Sequence, residues 1–240
     1  MIKKLINQND SYCLELLNSI DYDYVFSNKP INHLKNKINI PKISNKNKAK
    51  NLEELKREIN SIKNCKLKEN AQQIVFGDGN INSSLMIIGE APSKKDDLSG
   101  KTFVDEDGDL LTKMLIAINI KKENIYTTNV VNYRPPNDRK PTTEEIKRYS
   151  IFLQKHIAII NPKLIILMGS TAMKSLTGLN SKISLERGKW KEVIIKNTSY
   201  NVMITFNPSY LLRIPENKKY SWEDLKKIKQ KIKDLNLSIK

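Results

Sequence analysis

Four short apolar runs constrain the fold of this chain more than any other feature: Leu85-Met86-Ile87-Ile88, Ile125-Tyr126-Thr127-Thr128, Leu164-Ile165-Ile166-Leu167-Met168 and Val202-Met203-Ile204-Thr205-Phe206. Runs this short read as strands. The segments between them carry a helical period. Leu110, Leu111, Met114, Leu115 and Ile118 form one such stripe. Residues 144–159 form a second, with Thr143 as its N-cap, and residues 170–176 begin a third. Short apolar strands alternating with helices predict an α/β fold with a parallel sheet covered on both faces. In such sheets ligands gather at the carboxyl ends of the strands. Gly89-Glu90, Asn129, Gly169-Ser170 and Asn207 all stand at those ends, and they mark the expected site.

At 240 residues the chain suits one domain, or one domain with an appendage. A mean hydropathy of -0.51 fits a protein in water. No apolar run approaches the roughly 18 residues that a membrane span needs. The start turns polar by Asn7, too soon for a signal peptide. Two distant cysteines, Cys13 and Cys65, suggest no disulfide framework, so the expected compartment is a reducing cytoplasm. The net charge of +16 admits two readings. One is a polyanionic partner, most simply nucleic acid. The other is AT-rich codon drift, since only six of the 42 basic residues are Arg and Asn and Ile abound.

Residues 1–64 read as a helical and linker extension, and 65–240 as the main domain. A short helix is expected over 12–20, and a Lys/Asn-rich linker over 28–50. A helix should then open at Asn51, with Glu54 in the capping-box position and Leu52, Leu55, Ile59 and Ile62 along one face. The tail, 222–239, reads as a basic amphipathic helix with Leu225, Ile228, Ile232 and Leu235 inward.

Several motifs stand in a fixed order. They are Val75-Phe76-Gly77-Asp78-Gly79-Asn80, Gly89-Glu90-Ala91-Pro92 with Gly100 and Phe103-Val104, and Gly108-Asp109-Leu110-Leu111. Tyr126-Thr127-Thr128-Asn129, Arg134-Pro135-Pro136, Arg187-Gly188, Pro208-Ser209-Tyr210-Leu211-Leu212-Arg213 and Trp222-Glu223-Asp224-Leu225 follow. With them the chain resembles the family 4, thermostable-type uracil-DNA glycosylases over about residues 65–228. The resemblance implies a three-layer α/β/α sandwich on a short, mainly parallel four-stranded sheet. It also implies hydrolysis of the bond between uracil and deoxyribose, the first step of base excision repair. The expected partner is uracil-containing DNA, single- or double-stranded, met by a monomer in the cytoplasm of a bacterium, at its nucleoid, without a membrane.

A glycosylase must take its base out of the stack and enclose it. The resemblance puts Ala91, Phe103 and Asn129 around the uracil. Phe103 would be the stacking platform, or else a core residue. The Asn129 amide would accept from N3–H and donate to O4, or else cap its strand. For catalysis the resemblance points to Glu90, which could hold the attacking water, and to position 207, where the family carries His and this chain has Asn207. A neutral amide there keeps the donor to uracil O2 in weakened form or loses the role. Asp138 stands where the family usually shows Asn, as a second water-orienting carboxylate or a solvated loop residue. Arg134, Arg187, Ser209, Tyr210, Leu211 and Arg213 are the expected DNA contacts. Tyr210 or Leu211 would wedge into the gap left by the base, although adjacent leucines after a proline could equally start a buried helix. Family members typically hold a [4Fe–4S] cluster on four cysteines. Cys65 falls at the first position, but Lys68, Tyr149 and Leu167 occupy the others, so neither cofactor nor metal is expected. A non-catalytic or very slow uracil- or damaged-DNA binder and a glycosylase for another deaminated base are the alternatives.

Overall fold

The computed structural model describes residues 45–239. The helix expected over 12–20 and Cys13 lie outside them. In chain order the elements begin with α1 (Asn45–Asn60), α2 (Lys66–Asn70), β1 (Asp78–Gly79), β2 (Leu85–Gly89), α3 (Lys94–Ser99) and α4 (Glu106–Ile116). Then come β3 (Tyr126–Asn129), α5 (Thr143–Ile160), β4 (Leu164–Met168), α6 (Ser170–Thr177) and α7 (Ile183–Glu186). The last are β5 (Trp190–Ile195), β6 (Thr198–Thr205), α8 (Pro208–Arg213) and α9 (Lys218–Asp234).

The four apolar runs form the parallel centre of the sheet. The strand order is β1-β3-β2-β4-β6-β5, so the sheet has six strands rather than the expected four. Both additions are antiparallel edges. β1 has only two residues and no apolar pattern. β5 returns to β6 through Lys196 and Asn197, both at positive φ, the twist a two-residue hairpin loop requires.

Alternation along the strands sorts the side chains into two cores. Met86, Ile88, Ile165, Leu167, Val202 and Ile204 face one way, against α1, α5 and α6. Leu85, Ile87, Leu164, Ile166, Met168 and Met203 face the other, against α4, α8 and α9. Two covered faces make the expected three-layer sandwich.

Three helix starts differ from expectation. α1 opens at Asn45, not Asn51, because the lysines and Ala49 before it are good helix formers and Lys48 Nζ donates to the Ile160 carbonyl at 2.7 Å. Leu52, Leu55 and Ile59 of α1 lie in the core with α5, so the last helix of the expected extension packs as part of the main domain. The N-cap of α5 is Thr142, not Thr143, since only Thr142 has a Glu three residues on to close a capping box. α9 begins at Lys218 and ends at Asp234, which leaves Leu235 beyond the last turn and 40% exposed.

Candidate active site

The carboxyl ends of β2, β3, β4 and β6 lie side by side, and the loops leaving them build the site. A cavity of about 310 Å³ opens there, lined by Glu90, Ala91, Asp107, Asp138, Gly169, Asn207, Ser209, Tyr210 and Arg213 among others. Seven of the residues expected from sequence therefore meet on one wall system.

Asn207 is the N-cap of α8. Its Oδ1 accepts from Ser209 N at 2.9 Å and from Ser209 Oγ at 3.0 Å. A backbone N–H can only donate, so this fixes which end of the amide is oxygen. Nδ2 remains as a donor without a partner among the described residues. Gly169 lies beneath the side chain, where a Cβ would come within 3.2 Å of Asn207 Cβ.

Glu90 follows β2, and Thr171 in the first turn of α6 donates to its Oε2. That hydroxyl fixes the carboxylate at the cavity wall. Asp138 is held differently. Arg134 clasps it through Nε at 2.6 Å and Nη2 at 2.8 Å. The Arg134 hydrogen bond keeps the Asp138 carboxyl below the usual range. Asn137 and Asp138 both sit at positive φ, 55° and 54°, in a short turn pinned by that clasp. Arg134 is thus a partner of Asp138 and does not itself line the cavity.

Phe103 and Asn129 sit deeper, 4% and 3% exposed, and do not line the open cavity. They are packed on Gly89. A Cβ there would lie 2.3 Å from Asn129 Oδ1 and 2.7 Å from Phe103 Cζ. The Asn129 Nδ2 is buried with no hydrogen-bond partner among the described residues. An amide that only capped a strand would spend that donor internally; a buried donor left free is costly and points to a ligand. Phe103 has φ of 54°, a region a bulky residue rarely adopts. Its carbonyl accepts from Lys122 Nζ at 2.6 Å, and Gly108 passes so close that a Cβ would meet that oxygen at 1.8 Å. The next residue, Val104, donates to buried Asp96 at 2.9 Å. The ring is therefore held by its neighbours against local preference, as functional residues often are.

Two expected DNA contacts are internal instead. Arg187 pairs with Asp224, donating from Nε at 3.0 Å and from Nη2, and it also donates to the Tyr220 carbonyl. Asp224 is fully buried and takes a further bond from Thr205 Oγ1 at 2.7 Å, so Asp224 of α9 joins Arg187 to β6. Leu211 is 1% exposed in the core beside α4, which rules it out as a wedge; the next residue, Leu212, is 38% exposed. Successive residues of a helix point about 100° apart, and here that rotation carries Leu212 from the core side toward the surface. Sequence reasoning missed Asp107 and Thr171. Asp107 reads as an ordinary acidic residue in a helix's first turn, and Thr171 carries no local signal.

Residues 76–229 match the family model of the Uracil DNA glycosylase superfamily. The chain belongs to this superfamily. It is 34% identical to the Type-4 uracil-DNA glycosylase of Archaeoglobus fulgidus over 74% of this chain and 91% of that one. Its identity to the Type-4 uracil-DNA glycosylase of Thermotoga maritima is 37%, over 70% of this chain and 88% of the relative. The like-named protein of Sulfurisphaera tokodaii is 38% identical, over 75% and 84%.

The residues present do not fit the iron–sulfur cluster that the resemblance brings with it. Such a cluster needs four thiolates. Here Cys65 is buried, with Sγ 3.4 Å from the Tyr149 hydroxyl. Burial and that hydrogen bond keep the Tyr149 hydroxyl protonated. Lys68 reaches outward to the Asn60 carbonyl, and Leu167 is core. Two of the four positions thus bond to each other and a third is apolar. Protein purified without oxygen should be colourless and iron-free by metal analysis; stoichiometric iron with broad visible absorbance would contradict this.

Proposed function

We propose that this protein removes uracil from DNA by hydrolysing the N-glycosidic bond, with Asn129 selecting the base and Asn207 stabilising it as it leaves. The observation that carries the reading is the buried Asn129 amide nitrogen, without a partner among the described residues and packed beside Phe103. The reaction needs the base outside the helix. Phe103 then stacks on the ring, and Ala91 leaves the space beside it open. Asn129 donates to O4 and accepts from N3–H, a pattern cytosine does not match.

As the bond from C1′ to N1 breaks, its electron pair goes to the uracil and charge gathers on O2. Asn207 Nδ2 donates there. Glu90, steadied by Thr171, holds the water that adds to C1′ and takes up the proton it releases. Asp138, clasped by Arg134, orders the entrance rather than the water. Ser209 and Arg213 hold phosphates. Leu212, with Tyr210 behind it, fills the gap in the stack. The protein works as a monomer in the cytoplasm, on single- or double-stranded DNA. Among the described residues no helix is long and apolar enough to cross a membrane.

The test is abasic-site formation on a uracil-containing oligonucleotide with enzyme in excess, read by alkaline strand cleavage. Cleavage at uracil and none at cytosine or thymine is expected. Tight binding without cleavage would favour a uracil-DNA binder, the reading that the neutral Asn207 suggests.

A further inference from the structure

Asp107 stands in the first turn of α4 and lines the same cavity as Asn207 and Glu90. Helix α4 packs against α8, the helix that Asn207 opens. Asp107 Oδ1 is buried without a hydrogen-bond partner among the described residues. The groups around it offset one another only in part. Asp96 of α3 and Asp105 at the start of α4 add negative charge, while the Gly108 N–H and the Lys122 ammonium, which also donates to the Phe103 carbonyl, favour the carboxylate more weakly than burial and Asp96 oppose it. Across the cavity stand Glu90, Asp138, Arg139, Lys140 and Arg213, and no ion pair joins any of them to Asp107 among the described residues. Burial first, and Asp96 next, push the Asp107 carboxyl up to about 6.

We propose that Asp107 is a further catalytic residue of the base pocket, a carboxylic acid that donates a hydrogen bond to an oxygen of the departing base beside the Asn207 amide. This rests on the uracil-removal reading. When the bond from C1′ to N1 breaks, the electron pair passes to the base and its oxygens become negative. A neutral carboxyl group aimed at one of them lowers the energy of that charge and retains its proton; water completes the sugar and gives its proton to Glu90. An ionised Asp107 would do the reverse, setting one anion beside another. The group is a donor below about pH 6 and a repelling carboxylate above it. It also supplies a second donor where the chain has a neutral amide in place of the family's His.

The experiment measures single-turnover uracil release from pH 5 to 8 for the parent, Asp107→Asn and Asp107→Ala, at temperatures where melting curves show all three folded. The parent rate should fall about 10²-fold across that range, in line with losing one donor to a developing anion. Asp107→Asn, a donor at every pH, should be flat and about 10²-fold faster than the parent at pH 8. Asp107→Ala should be flat and at least about 10²-fold slower than the parent at pH 5. Three superimposable profiles would overturn the proposal. A parent that releases no uracil at any pH would instead sink the uracil-removal reading, and binding of free uracil, followed by ligand-observed NMR, then decides on Asp107. Binding that weakens above pH 6 in the parent but not in Asp107→Asn keeps Asp107 as a base contact; pH-independent binding in both removes it.

Discussion

Asn207→Ala should lower the single-turnover rate of uracil release by about 10²–10³-fold, the usual cost of losing one donor to a developing oxyanion. The amide is well placed to matter. Its oxygen is spent on Ser209, so its only free function is the Nδ2 donor on the cavity wall. The same substitution also removes the N-cap of α8 and should cost about 1 kcal/mol of stability, so rates belong well below the melting transition. Asn207→His should keep or raise the rate, because it restores the donor that the family carries. A rate for Asn207→Ala within twofold of the parent would show that the charge on O2 is met elsewhere. An inactive parent made active by Asn207→His would show an intact base pocket lacking its donor, and would turn the protein into a binder.

Gly89→Ala should abolish most activity, by about 100-fold, while leaving the protein folded, since displacements of about 1 Å at a reacting centre cost that much. The backbone at Gly89 is not in the left-handed region, so alanine meets no conformational penalty there. What it meets is the base pocket. The added methyl would stand 2.3 Å from Asn129 Oδ1 and 2.7 Å from Phe103 Cζ, and both must move. Overpacking of this kind costs about 1–3 kcal/mol of stability. A folded Gly89→Ala protein with parental activity would mean that neither Phe103 nor Asn129 touches the base.

Much of the fold was legible in the residues. β2 and β4, at the middle of the sheet, are apolar throughout because both sheet faces are covered, and that unbroken run is visible without a partner in view. The edge strands were not. β1 is two residues long, and β5 is set by the hairpin at Lys196-Asn197 rather than by an apolar run. The start of α1 was hidden for a related reason, since a lysine-rich segment becomes helix when one of its lysines finds the end of α5.

The sequence by itself determined the sandwich, the strand ends that carry the site, and the identities of Glu90, Asn129 and Asn207 there. Those follow from hydrophobic period and from motif order, which are properties of neighbours along the chain. Only the tertiary structure decided which atoms are free to act. It engaged Arg187 with Asp224 and sank Leu211 into the core, leaving Leu212 outside. It closed the cluster position with a contact between Cys65 and Tyr149, residues far apart in sequence. It brought Asp107 to the cavity and left its Oδ1, like Asn129 Nδ2, without a partner among the described residues. Whether a polar group is satisfied depends on everything packed around it, and distant segments supply most of that surrounding. No local pattern records it.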